Sequence, residues 1–267
     1  MPESVAIIMR AKNEMPHVRR ALDMLARQTC GGDFDLFAVD SGSTDGTLEA
    51  LEEYGANLVR ISPEAYVPGK VLNEAIAATR HETIVFLNAD AVPQSTDWLE
   101  NLLRPLRENL ADAVFSKQIA RPDATFIVAY DYERAYDPAK IEPGFFSAVA
   151  CAFRRKLWEQ TRFPEEGYAE DVRWAKACLE TGARIRPVPE SVVEHSHNYT
   201  LAELRQKRFR QARALRIATG PLAQTGKCLR EIIRDLLHAI VRFKLHTIPY
   251  NLAYRIAIHR GVFSGRA

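Results

Sequence analysis

The chain has 267 residues, 47% hydrophobic and 26% charged, which fits a globular protein of one large α/β domain or one domain plus an appendage. Its four cysteines, Cys30, Cys151, Cys178 and Cys228, stand far apart with no C-x-x-C pair, so neither a zinc knuckle nor a disulfide scaffold is expected, and a reducing cytoplasm is the expected home. The net charge is only +2, and neither a basic-then-apolar leader nor an apolar run of membrane-spanning length is found, so neither secretion nor a span is predicted.

The first hundred or so residues alternate short β-branched apolar runs with helical patterns, the mark of βαβ units and a largely parallel sheet. Strands are predicted near 5–9, 36–39, 58–61 and 83–87, each followed by a helix, over 16–28, 44–54, 70–79 and 95–109. Ser41-Gly42-Ser43-Thr44-Asp45-Gly46 reads as a turn feeding a helix start. Ligands of an open parallel sheet collect outside the carboxyl ends of its strands, which singles out 10–14, 40–45 and 88–90.

After Val114 comes RPDATFIVAYDYERAYDPAKIEPG, expected as a partly irregular excursion of the kind that carries function. A strand SAVACAF and a helix from Arg154 follow, then a helix AEDVRWAKACLETG with Val172, Ala175 and Leu179 on its apolar face and Gly182 closing it. ARIRPV and SVVEHSH read as two closing strands. From Leu201 the chain is helical and basic: from Arg205 onward there are 14 Lys/Arg and two acids, against 22 basic and 32 acidic residues before it. Over 232–245 the residues Ile233, Leu236, Leu237, Ile240, Val241 and Leu245 share a helical face opposite Arg234, Arg242 and Lys244. Such a tail suits nucleic acid, anionic lipid or solvent, and composition does not choose.

Several of these residues carry chemistry. Asp90, after the strand TIVFL and two residues past Asn88, suits a hard divalent cation that bridges diphosphate oxygens, although such a triplet also serves as an Asx turn. Asp40, with the loop from Ser41, can receive a base edge and a ribose; equally, Asp40 and Ser43 can cap the next helix. Glu170 and Asp171 open a helix, where carboxylates commonly cap, yet transfer to a hydroxyl needs such a base to take the acceptor's proton. His195 and His197 project to one side of an extended run, placed either as metal or diphosphate ligands or as structural residues. Tyr130, Tyr132 and Tyr136 are candidates for stacking on an acceptor sugar over 121–146, with ordinary packing as the alternative.

In their order, IIMRAKNE, VDSGSTDGT, VFLNADAVP and AEDVRWAKACLETGARI resemble the inverting glycosyltransferases of family two across residues 5 to 188. SKQIARPDA and VVEHSHNYTLAELRQKRFRQARAL resemble its rhamnosyltransferase-like branch. The resemblance implies an α/β fold of GT-A type with a mostly parallel central sheet over residues 1–200, of which 1–115 form the nucleotide-sugar half and 116–200 the acceptor half. Residues 201–267 then form a basic amphipathic helical tail. It also implies a nucleotide-diphosphate sugar donor, dTDP- or UDP-linked, and Mg²⁺ or Mn²⁺. By carry-over Arg10, Ala11, Asn13 and Glu14 line the nucleoside site with Asp40 at the base and Ser41 beside it. Asn88 and Asp90 hold ribose and metal, and Asp171 is the general base with Glu170 as its neighbour.

Two positions depart from the family pattern. Asn88 replaces the first acid of the usual aspartate-x-aspartate motif, which lowers the local negative charge and gives His195 or His197 a compensating role as ligand; Arg10 stands where many relatives have proline. The acceptor expected is a cell-surface glycan or its lipid-linked precursor. The tail is read as a peripheral attachment to the inner face of the membrane, where such acceptors are presented, with packing onto the catalytic domain as the alternative. The rival reading is a nucleotide- or nucleic-acid-binding protein working through that tail, but no nucleic-acid motif is present. Nor is Pro68-Gly69-Lys70 a Walker A loop, because Glu64 stands where its first glycine is required.

Overall fold

The computed structural model describes residues 4–29, 33–142 and 144–266; Cys30, and Pro143 within the expected excursion, lie outside the described residues. Four runs of apolar residues form β1 (Val5–Ala11), β2 (Phe34–Asp40), β3 (Asn57–Arg60) and β4 (Thr83–Leu87), parallel neighbours in the order β3-β2-β1-β4. Every residue of β4 is buried, as expected for a strand covered on both faces. The helices α1 (His17–Leu25), α2 (Thr47–Tyr54), α3 (Pro68–Ala77) and α4 (Trp98–Arg107) follow β1 to β4 in turn.

The sheet then continues with mixed pairing. An edge strand β5 (Val92–Pro93), β6 (Ala113–Ile119), β7 (Ala150–Arg154) and β8 (Ile185–Glu194) complete the order β3-β2-β1-β4-β7-β6-β8-β5, in which β7 runs antiparallel to both neighbours and β6 pairs β8 in parallel. The two closing strands expected from the sequence are this single β8. Its ladder with β6 shifts register between Ser116 and Lys117, and the irregularity is held from inside by Ser191, whose hydroxyl lies 2.8 Å from that of Ser116 and donates to the Trp98 carbonyl. Burying the serine of Pro189-Glu190-Ser191 on a partner hydroxyl lets the strand pass through the triplet.

Between the strands lie α5 (Phe126–Ala135), α6 (Arg155–Gln160) and α7 (Glu170–Glu180), and after them α8 (Leu201–Ala214), α9 (Pro221–Val241) and α10 (Ile248–Ser264). The excursion after β6 is thus helical through its middle, with Ile127 and Val128 buried. On α7 the buried residues are Trp174, Ala175 and Cys178, while Val172 and Leu179 are each 37% exposed. The helix is turned by its largest ring: Trp174 is fully buried, stacks on Phe163 at 4.6 Å and donates to the Thr161 carbonyl, which places its large apolar surface and its polar N–H together on the inner face. Gly182 ends the helix at a φ of +86°, a left-handed value that glycine adopts freely.

Pro68-Gly69-Lys70 is explained by packing. Pro68 starts α3, and a Cβ on Gly69 would lie 1.9 Å from the Pro164 carbonyl oxygen, so only glycine allows this approach. Asn73, one turn on, ties the same loop down. It donates to the Phe163 carbonyl and to Glu165, and accepts from the Trp158 indole and the Phe163 amide.

By contacts the chain forms two compact units, one of residues 1–119, 135–166 and 170–195, the other of 120–134, 167–169 and 196–267. The core of the second gathers Ile127, Val128, Leu204, Tyr254, Ala257 and Ile258. There α10 lies so close to α8 that a Cβ on Gly261 or Gly265 would come within 2.4 Å of an α8 carbonyl oxygen. Arg255 is buried at the centre, paired with Asp131 of α5 and Asp235 of α9, and His259 reaches Glu231 at 3.0 Å. Burial first, then Asp235, raises the Asp131 carboxyl, while Arg255 opposes the rise.

Of the tyrosines considered for sugar stacking, Tyr130 is face to face with His238 at 3.6 Å, and Tyr136 is buried edge-on to Phe145. Both serve packing.

Two stability outcomes follow. Asn73→Ala leaves buried donors and acceptors unmatched and is expected to lower unfolding free energy by about 2–4 kcal/mol in urea titration; a change within error would mean the loop is held otherwise. Arg255→Met strands the buried Asp235 and the partly buried Asp131 and is expected to cost about 3–5 kcal/mol at neutral pH, read from the melting of the second unit.

Candidate active site

Parallel pairing of β1 with β2 and β4 brings their carboxyl ends to one edge. Ser41 N–H donates to the Ala11 carbonyl and Ala89 N–H to that of Arg10, so the three segments singled out in the sequence converge through the backbone. The Arg10 guanidinium spans them: one nitrogen donates to Asn88 Oδ1 at 3.2 Å and another to Glu170 Oε1 at 3.1 Å, with both charged side chains about seven-eighths buried. Burial works to lower the Arg10 pKa, but Tyr66 and Glu170 outweigh it and hold the cation above its ordinary value.

Around this link is a cleft of about 260 Å³. Arg10, Ala11, Glu14, Ser41, Asn88 and Asp90 line it, all among the residues predicted for the site. Lys12, Pro63 and Tyr66 line it too and were not predicted. Lys12 sits inside the first motif, and Pro63 and Tyr66 follow β3, whose carboxyl end is the one that the strand-end reading passed over. Neither Asn13 nor Asp40 is part of the lining. Asn13 takes a φ of +56° and holds the neighbouring loop, its amide donating to Ser43 Oγ and its Oδ1 accepting from Thr44 N–H. The buried Asp40 accepts from the Gly42 and Ser43 amides, each at 3.0 Å, and from the Ser43 hydroxyl. Both therefore shape the turn that presents Ser41.

Asp90 is buried beside His195, whose Nε2 lies 3.4 Å from Asp90 Oδ2. His197 follows two residues along the chain and belongs to the second unit. The imidazole of His195 is oriented from behind: its Nδ1 is 2.8 Å from Gln118 Oε1, and Gln118 fixes its own amide by donating to Ser147 Oγ. With Gln118 presenting an oxygen to Nδ1, the neutral ring that carries its proton there has its Nε2 lone pair on the side of the carboxylate. A carboxylate oxygen and an imidazole lone pair converging in this way fit a divalent cation, and the buried support is of the kind metal-binding histidines have. Gln118 stands in SKQIARPDA, but nothing in that string marks it as the partner of a histidine 77 positions away.

Glu170 and Asp171 occupy the first turn of α7, and Asp171 accepts from the Val172 amide. Burial first, and the charge of Glu170 second, raise the Asp171 carboxyl above the ordinary range against the opposing effect of Arg10. Neither carboxylate lines the cleft; the pair adjoins it through Glu170, which holds the lining residue Arg10. A carboxylate with raised basicity can take a proton from a hydroxyl.

The sequence profile described as Glycosyl transferase family 2 matches residues 6–164. Among curated proteins the chain is 30% identical over 189 residues to the O-antigen chain rhamnosyltransferase WbaN of Salmonella anatum, covering 65% of this chain and 60% of that protein. It is 29% identical over 204 residues to the O-antigen chain rhamnosyltransferase RfbN of Salmonella typhimurium, covering 70% and 65%. The chain thus spans less than two thirds of the length of either relative. Among solved structures, a mannosyltransferase from Pyrobaculum calidifontis in complex with GDP-Man and Mn²⁺ superposes with a TM-score of 0.64 at 24% identity, covering 95% of this chain and 73% of that one. Glucosyl-3-phosphoglycerate synthase from Mycobacterium tuberculosis gives 0.59 at 23% identity, covering 79% and 78%. At these identities the two structures speak for a common fold. With a profile match over more than half its length and the GT-A arrangement of its sheet, the chain belongs to glycosyl transferase family 2.

Proposed function

We propose that the chain is an inverting, metal-dependent hexosyltransferase. It would move a sugar, rhamnose first among the candidates, from a dTDP- or UDP-linked donor to a hydroxyl of a cell-surface glycan or its lipid-linked precursor. The observation that carries the proposal is the Arg10 link between Asn88 and Glu170, which joins the cleft lined by Asp90 to the carboxylate pair that opens α7. The rhamnosyltransferase relatives support the choice of sugar, and family membership removes the support for a nucleic-acid reader.

In this reading the nucleoside rests against Ala11, Glu14, Ser41 and Tyr66, with Asn13 and Asp40 holding the loop, while Arg10 and Lys12 face the diphosphate. Asp90, His195 and His197 would hold Mg²⁺ or Mn²⁺, which when bound supplies positive charge opposite the departing diphosphate. Asp171 takes the acceptor's proton as its oxygen attacks the anomeric carbon from the side away from the diphosphate. The carbon–oxygen bond to the diphosphate breaks with its electron pair kept by that group, and the configuration inverts. Glu170 keeps Arg10 in place and raises the basicity of Asp171. Among the described residues no helix is long and apolar enough to cross a membrane. We place the chain in the cytoplasm, held peripherally at the inner face of the plasma membrane by its basic tail.

Asp171→Asn is expected to bind donor nearly as the parent does, by calorimetry, yet to turn over at least about a hundredfold more slowly; near-normal turnover would remove Asp171 from the mechanism. Since the base works deprotonated and its carboxyl is raised, the acid limb of kcat/KM should fall at a pH above the ordinary aspartate range. The sign for stability is opposite. A carboxyl raised in the folded state destabilises it as pH climbs from the ordinary to the raised value, so Asp171→Asn should melt no lower than the parent at neutral pH. Gln118→Leu removes the support of His195 and should weaken Mn²⁺ binding by about 10- to 100-fold in calorimetry with its circular dichroism unchanged. Unaltered Mn²⁺ affinity would separate His195 from the metal.

A further inference from the structure

Within the second unit, α9 is built inside out. The residues that it buries are Gln224, Asp235 and Ala239, and its polar groups are spent inward: Asp235 and Glu231 on Arg255 and His259, Gln224 on His259 at 2.7 Å. Its apolar stripe faces away from that core. Leu229, Ile233, Leu236, Leu237 and Ile240 are exposed, the stripe begins at Leu222, 89% exposed, and it runs on past the helix end through Phe243, 88% exposed, and Leu245. A helix in water ordinarily turns such a stripe inward, and a contiguous patch of this kind marks a surface with a partner.

The charges beside the stripe say which partner. Lys227, Arg230, Arg242 and Lys244 are exposed, whereas Glu231 and Asp235, the only acids beyond Arg205, are engaged with Arg255 and His259. The exposed charge of α9 is therefore entirely positive. A second copy meeting this face about a two-fold axis would set cations against cations, since such a contact uses the same patch twice. An anionic lipid surface accepts both features, with leucines and isoleucines entering the acyl boundary and lysines and arginines staying among the headgroups.

We propose that the outward face of α9, continued by Phe243 and Leu245, is an interfacial membrane anchor selective for anionic bilayers. The proposal deepens the peripheral placement given above and rests on the transferase reading only for its purpose, which is to hold the chain where a lipid-linked acceptor is presented.

The test is flotation of the full chain with vesicles of phosphatidylcholine alone and of phosphatidylcholine mixed with phosphatidylglycerol. Binding to the mixed vesicles should be at least about tenfold tighter, and weakened by salt. The triple variant Ile233→Ser, Leu237→Ser, Ile240→Ser changes only exposed positions. It should lose at least about tenfold of that binding while keeping the parent's circular dichroism and its hydrolysis of sugar nucleotide in solution. Binding of the parent equal on both vesicles, or retained in full by the triple variant, would overturn the proposal. So would a parent that ignores both vesicles but is dimeric by light scattering, with a monomeric variant. Failure of sugar-nucleotide hydrolysis with vesicle binding intact would instead count against the transferase reading alone.

Discussion

A largely buried arginine at the end of β1 is the interaction on which the rest of the site depends. Arg10 reaches across the sheet edge to Asn88 after β4 and to Glu170 at the start of α7, joining segments 78 and 160 residues away in sequence. A buried cation is stable only when its donors are met by acceptors, so its presence obliges both partners to stand where they do. Asn88 and Glu170 in turn fix the residues beside them, Asp90 on one side and Asp171 on the other. The replacement of an acid by Asn88 becomes intelligible here: a neutral oxygen accepts from Arg10 without adding a further negative charge beside Asp90.

Much of the fold could be read from the chain because its signals were local. The strand β4 was foreseen residue for residue, since a threonine and four apolar residues form a short β-favouring run bounded by polar ones, and the three preceding strands were foreseen to within two residues at each end. What escaped depended on partners far away in sequence. The hydroxyl of Ser116 makes one strand of the two segments around Ser191, and the stacking of Trp174 on Phe163 turns α7 away from Val172 and Leu179. Most of the cleft was legible from strand ends. Tyr66 was not, because it stands six residues beyond β3, past a short helical turn, where an aromatic side chain reads as packing. Gln118 was not, because its meaning lies in a histidine on another strand.

The two units obey different logics. In the first, an apolar core encloses a sheet and the charges gather at one edge of it. In the second, a buried cluster of Arg255 with Asp131 and Asp235 lies among short apolar contacts, and the longest helix turns its leucines outward. The sequence displays the amphipathic stripe of α9 plainly. It does not display which side faces inward, because that is settled by the acids that Arg255 needs and not by the leucines.

The most direct test of the central claim, that the cleft bounded by Arg10 and Asp90 receives a sugar diphosphate, is hydrolysis of a panel of nucleotide sugars. dTDP-rhamnose comes first, followed by UDP-linked donors, each measured with Mn²⁺ and with chelator. The account predicts turnover of one donor class that requires the cation and is lost in Asp90→Asn. Turnover equal with chelator and in that variant, or none with any donor, would contradict it.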